Sequence, residues 1–233
     1  MYTDALPASD EAKALLQTIR AMNPGSGLRM LVDGGTAEIV DVVDLMYSEF
    51  PYAALTVVIA TYLVLFLLLR SVLLPLKAVI LNALSLTASY GALVFIFQDG
   101  HLSSLLNFQP LGFIEASLPI VMFCVLFGLS MDYEVFLLSR VREAWDQTGD
   151  NRLAVATGLA RSGRIITGAA LILVVVAAAF VSADVVLIKA LGLGIGLAIA
   201  LDASIVRTLL VPATMRLLGD WNWWAPRIVL RVL

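Results

Sequence analysis

The sequence predicts an all-α membrane fold: five transmembrane helices preceded by a short α/β piece. Three observations carry that prediction. The 233 residues are 61% hydrophobic and 14% charged, with a mean hydropathy of +0.95, whereas soluble domains are about 45–50% apolar. Five apolar stretches approach the roughly 20 residues needed to cross a hydrocarbon core about 30 Å thick. Charge is also segregated. Residues 1–50 hold Asp4, Asp10, Glu11, Asp33, Glu38, Asp41, Asp44 and Glu49 against Lys13, Arg20 and Arg29, while residues 51–98 contain no acid. The net charge of -3 therefore averages a water-facing part and a lipid-facing part. No basic face with interleaved aromatics exists, which argues against nucleic acid as a partner.

Residues 1–50 read as an extramembrane piece. Ala12, Leu15, Leu16, Ile19 and Met22 recur at helical spacing, predicting an amphipathic helix over 10–22 with Ser9 as N-cap. Asn23-Pro24-Gly25-Ser26-Gly27 breaks it. Leu28–Val32 is expected as a short strand, Gly34-Gly35 as a turn, and Thr36 as the cap of a second helix towards Phe50. Such a helix–strand–helix piece is too small to bury its own core. It lacks the basic n-region and apolar h-region of a signal peptide, so the chain is expected to be part of a longer one.

The expected spans are 53–69, 78–97, 117–139, 164–183 and 188–211, within a membrane region over 51–217, and 218–233 forms a tail. Pro51 and Pro75 punctuate the first two, and Pro119 falls in the tolerated first turn of the third. Arg70, Lys77, Arg140, Arg142, Arg152, Arg161, Arg164, Arg216, Arg227 and Arg231 lie at one side of the alternating connections; the other has only Lys189. By the positive-inside rule the N-terminus is extracytoplasmic and the C-terminus cytoplasmic. Trp221, Trp223 and Trp224 suit that cytoplasmic interface.

Asp132 is the residue that demands explanation. It lies eight residues before Arg140, roughly 12 Å from the end of its span at 1.5 Å per residue, too deep for a short side chain to reach water. A carboxylate at such depth costs at least ~2.5–3.5 kcal/mol and marks a functional site by default. Burial is expected to let it hold and release a proton, with Tyr133 offering a hydroxyl to a carboxylate on an adjacent helix. The alternative is polar glue between helices. Gly128, one turn earlier, leaves room for a neighbour or a water. Glu134 points away from Asp132 and either faces another cavity or is itself a secondary proton site. In the fifth span Gly192, Gly196, Ala200 and Ser204 repeat every four residues, a stripe of small side chains for close helix packing. Asp202 is a second intramembrane acid. Arg207, five residues on, neutralises it, or else Asp202 lines the exit of a proton path together with Ser130. His101 reads as inert and Cys124 as packing. No His, Cys or acid set has metal-ligand spacing, and Gly128-x-Ser130-x-Asp132 is not a nucleophile elbow.

Phe127-Gly128-Leu129-Ser130-Met131-Asp132-Tyr133-Glu134-Val135-Phe136-Leu137-Leu138-Ser139-Arg140 resembles the MMPL family of the RND transporter superfamily. So do Arg70–Ala78, Leu201-Asp202-Ala203-Ser204-Ile205-Val206-Arg207 and Leu218-Gly219-Asp220-Trp221-Asn222-Trp223-Trp224-Ala225-Pro226. Together these motifs cover nearly the whole chain in order. The resemblance implies a twelve-helix protein of two halves, each with an extracytoplasmic porter domain between its first and second helices. Residues 1–50 would be the C-terminal edge of the second porter domain, followed by the last five helices of an RND-type bundle in a bacterial plasma (inner) membrane. It further implies export of lipids or hydrophobic small molecules on the proton gradient. Two Asp-Tyr pairs, one per half, would cross-bond at mid-membrane; Asp132-Tyr133 matches the second. Its partners would be the N-terminal half, the cargo and membrane lipids; H+ would be the coupling ion, with no cofactor.

One charge crossing 100 mV is worth about 2.3 kcal/mol. Exposing thirty lipid methylenes to water costs roughly 24 kcal/mol at about 0.8 kcal/mol each. A few protons cannot cover that, so lipid cargo would need sheltering by the porter domain throughout. Two other readings stand: an RND-type drug or pigment efflux transporter, and an intramembrane aspartyl protease using Asp132 and Asp202. The latter expects a Tyr-Asp order and a Gly-x-Gly-Asp signature, which this sequence does not have.

Overall fold

The computed structural model describes residues 9–25, 28, 30–110 and 112–226. The chain divides into two compact units, Met1–Leu55 and Thr56–Leu233. In the first, α1 spans Asp10–Arg20. It starts where expected: the Ser9 hydroxyl accepts from the Ala12 N–H at 3.3 Å, satisfying one of the donors a helix start leaves free. Asp10 and Glu11 in the first turn and Arg20 in the last match the helix dipole. Ala12 and Leu16 are buried, and Arg20 grips both carboxylate oxygens of Asp41 at 2.6 and 2.7 Å.

Two expectations fail here. The strand over Leu28–Val32 is absent among the described residues, Arg29 lying outside them. A strand persists only where a neighbour takes its backbone hydrogen bonds, and the described residues offer none, so the α/β piece is helical. Nor does Pro51 separate an extramembrane helix from the first span. A single 35-residue helix, α2, runs Gly35–Leu69 with Pro51 inside it. Proline forfeits one backbone bond, a loss that apolar membrane helices tolerate. α2 ends where Arg70 adopts the left-handed conformation (φ 48) and donates its N–H to Phe66 O at 2.8 Å, as a helix C-terminus favours.

The second unit is a helical bundle. α3 is Leu73–Leu93, continued by a π-helical segment Val94–Gln98. A short α4, Ser103–Leu106, lies in the following connection. α5 is Ser117–Thr148 and α6 Asn151–Val181. α7 is Val186–Leu201, followed by a second π-helical segment Asp202–Leu210, α8 over Val211–Leu218 and a 3-10 turn at Gly219–Trp223. Among the described residues, five helices are long and apolar enough to cross a membrane: Gly35–Leu69, Leu73–Gln98, Ser117–Thr148, Asn151–Val181 and Val186–Trp223. Four of them contain an expected span and extend past it, because helical hydrogen bonding continues beyond the apolar stretch; the fourth in order starts well before the expected 164–183 but ends at Val181, short of its last two residues. α5 and α6 are joined by Gly149 (φ 64), which closes α5, and Asp150, whose carboxylate accepts from Arg152 N and Leu153 N at 2.8 and 3.2 Å.

α5 packs on α6, α6 on α7, and α3 on both α5 and α7. A Cβ at Gly192 would meet Ala177 O at 2.7 Å, one at Gly196 would meet Ala177 Cβ at 3.3 Å, and one at Gly158 would meet Val141 Cα at 2.9 Å. These glycines let the α6 backbone approach α5 and α7. Ala200 is half-buried, but Ser204 is exposed and bonds Ala200 O on its own helix. The π-helical segment that starts at Asp202 turns Ser204 out of the four-residue stripe.

At one end of the bundle the tail clasps the connections. Ser71 Oγ donates to Asn222 O at 2.5 Å, Val72 N to Trp224 O at 3.1 Å, and Asn222 Nδ2 to Met215 O at 2.7 Å. Trp223 stacks on Trp145 at 4.7 Å and donates from Nε1 to Asn151 Oδ1 at 3.1 Å. Trp221 and Trp224 remain exposed. In the second unit's other long connection, Lys189 Nζ donates to Leu106 O and Asn107 O at 2.6 and 3.2 Å, and His101 stacks on Phe95.

Candidate functional site

The second π-helical segment builds the site. In an α-helix, residues five apart point about 140° away from each other; the i→i+5 bonds of a π-turn bring them onto one face. Val211 N accordingly bonds Val206 O, and Asp202 meets Arg207. Arg207 donates to Asp202 Oδ2 from Nη2 at 2.6 Å and from Nε at 2.9 Å. Both residues are buried, at 2% and 8% exposure. A buried pair of this kind holds only when further hydrogen bonds satisfy it. Ser130 on α5 provides them: its Oγ donates to Asp202 Oδ2 at 3.1 Å, and its carbonyl accepts from Arg207 Nη2 at 2.8 Å. The Arg207 guanidinium also lies over the Tyr133 ring, 4.9 Å from its centroid, a favourable cation–π placement.

Asn82, Ser85, Ser130, Tyr133, Asp202 and Arg207 contribute the polar lining of a cavity of about 20 Å³ between α3, α5, α6, α7 and the π-helical segment. The rest of its wall is apolar, including Leu86, Leu126, Ile166 and Ile199.

The structure thus joins Ser130, Tyr133, Asp202 and Arg207, and leaves Asp132 outside. The sequence predicts a desolvated Asp132, but the residue is exposed on α5 and does not line the cavity. Helical rotation explains this: Ser130 and Tyr133 turn inward, and the residue between them turns out. Gly128, one turn earlier, is also exposed, and a Cβ there would meet nothing within 4 Å. Glu134 does point away from Asp132, into the protein, at 5% exposure. The dyad of the protease reading has no basis, since Asp202 is locked to Arg207 while Asp132 sits on another face.

Two residues escaped sequence reasoning. Lys77 looks like a loop flank by charge pattern, but α3 begins at Leu73 and leaves Lys77 7% exposed inside the bundle. Asn82, one of the cavity's polar groups, is 3% exposed. The available signal was position: each is a polar residue within the first turns of an apolar helix, where lipid would not tolerate it facing outward.

A sequence model of the MMPL family matches residues 4–232. The chain is 45% identical over 221 residues to membrane protein SCO6666 of Streptomyces coelicolor, covering 95% of this chain and 31% of that protein. It is 42% identical over 229 residues to the trehalose monomycolate exporter MmpL3 of Mycolicibacterium smegmatis, covering 98% and 22% respectively. It is 40% identical over 230 residues to the mycolic acid-containing lipids exporter MmpL11 of the same organism, covering 97% and 24%. The chain therefore spans between about a fifth and a third of the length of these relatives. With a match that runs through every helix described above, this chain belongs to the MMPL family.

Proposed function

We propose that this chain is the C-terminal part of a proton-motive-force-driven exporter of lipids or hydrophobic small molecules, in which Asp132 and Tyr133 form one half of an intramembrane proton relay. The observation that carries the reading is the division of labour on α5: Tyr133 is held inward beneath Arg207, while Asp132 stands on the open face. A carboxylate turned to hydrocarbon costs at least ~2.5–3.5 kcal/mol, so that face is read as the seat of the N-terminal half rather than of lipid. Gly128 on the same face leaves a helix room to approach. The short coverage of the relatives' length supports a missing partner half.

In this reading Asp132 takes a proton from the extracytoplasmic side and releases it to the cytoplasm. Its change of charge alters the stability of one packing of the two halves relative to another, and the porter domains move with them. Asp202 is the anchor, not the carrier: Arg207 holds its carboxylate from two nitrogens, and the pair fixes Ser130 and Tyr133. Lipid cargo is favoured over drugs or pigments by the exporters among the relatives, whose names specify trehalose monomycolate and mycolic acid-containing lipids. The basic ends clasped by the tail belong to the cytoplasmic side.

Asp132→Asn in the full-length transporter, reconstituted in liposomes under an imposed proton gradient, tests this. Lipid export is expected to vanish while insertion and Tm stay unchanged; export at the native rate would overturn the relay.

A further inference from the structure

We infer that the cavity beside Arg207 binds one structural water, held between Asn82 of α3 and Arg207 of the π-helical segment. The inference stands apart from the proton relay and holds whether or not Asp132 carries protons. Both side chains line the cavity, and the two residues are 3% and 2% exposed. Asn82 Nδ2 and Arg207 Nη1 are buried donors without an acceptor among the described residues. A buried N–H left unpaired is strongly unfavourable, above all on a charged group. Two such donors on side chains that line one cavity mark a place for a shared acceptor. In protein interiors that acceptor is commonly an ordered water.

Size and charge select the ligand. The cavity's volume of about 20 Å³ exceeds the roughly 10–15 Å³ that one water needs and is too small for any organic molecule. Arg207 is already neutralised by Asp202 at 2.6 Å, so the two donors call for a neutral acceptor and not an anion. Water offers two lone pairs, one for each. Its own hydrogens meet an acceptor on the same wall. All three hydrogen bonds to the Asp202 carboxylate end on Oδ2, and Oδ1 accepts none from the described residues. A water there makes three hydrogen bonds, the usual number for a buried one. It joins α3 to the π-helical segment, on which α3 also packs. Asn82 thereby steadies the guanidinium that lies over the Tyr133 ring; it is a positioning residue for that site.

Hydroxyl-radical footprinting of the full-length transporter in lipid nanodiscs tests this, with X-ray radiolysis of water as the radical source. Radicals formed from a bound water oxidise the side chains beside it, even where bulk solvent has no access. Leu126, Ile166 and Ile199 are buried in the cavity wall. They are expected to oxidise several-fold faster than Leu93 and Val155, which are comparably buried elsewhere. Asn82→Leu removes one donor and fills the space, so that excess is expected to disappear. Asn82→Ser keeps a donor and room for the water, so the excess is expected to persist. Wall residues that oxidise no faster than Leu93 and Val155 in the native protein overturn the inference. So does an excess that survives Asn82→Leu or is lost in Asn82→Ser. Should Asn82→Leu fail to insert, Ala203→Leu closes the same cavity without altering a polar group, and an excess surviving there overturns it equally. The readout is labelling and not export, so failure of the relay with Asp132→Asn leaves this result standing.

Discussion

Arg207 is the residue on which the candidate site turns. Its guanidinium contacts the Asp202 carboxylate, the Ser130 carbonyl and the Tyr133 ring together. Lysine, a point charge without the planar fork, could not hold all three. Arg207→Met leaves Asp202 as an unpaired buried carboxylate, so a loss of about 3–5 kcal/mol is expected, read as a lowered Tm together with lost export. Tyr133→Phe isolates the other function. The ring still fills its place under Arg207, so stability is expected to hold while export falls less severely than with Asp132→Asn, because only the hydroxyl is gone. A native export rate in Tyr133→Phe would remove the tyrosine from the relay. At this scale the sequence marked Asp132, Tyr133, Ser130 and Asp202 because polar groups in apolar helices are conspicuous. It could not show that Asp202 sits beside Arg207, since that depends on a local change of helical pitch. Lys77 was obscured for the opposite reason: near a helix end, a lysine looks like an interfacial charge until the helix boundary is known.

Among elements, the small-residue stripe on α7 has the clearest consequence. A methyl group at Gly192 would lie 2.7 Å from the Ala177 carbonyl oxygen, on backbone that cannot rotate away. Gly192→Ala is therefore expected to force α6 and α7 apart and cost roughly 1–3 kcal/mol. Gly128→Ala on α5 meets open space within this chain and is expected to change Tm little, within the roughly 0.5 kcal/mol typical of surface positions. Differential scanning fluorimetry of the two variants checks both, and equal Tm losses would contradict the packing described. Hydropathy made the five spans legible, because lipid demands some 20 apolar residues whatever the fold. Their ends were not, since hydrogen bonding carries α5 to Thr148 and starts α6 at Asn151. The strand over Leu28–Val32 shows the converse limit: a local β pattern yields no strand where the described residues supply no neighbour to pair with.

For the whole molecule, the proposed partner half would cover the open face bearing Gly128 and Asp132. Expressed alone and reconstituted, this chain is expected to show no lipid flux above empty liposomes; measurable flux would refute the need for a partner half. The sequence predicts burial for Asp132, and the structure exposes it. Hydropathy reports depth in a membrane and says nothing about which protein surface completes the surroundings. On the proposed reading, Asp132 binds and releases a proton within the membrane. Infrared difference spectroscopy of the full-length transporter, recorded between low and high pH, tests it most directly. A protonated-carboxyl band that disappears in Asp132→Asn is expected; a band unchanged by that substitution would contradict proton binding at Asp132.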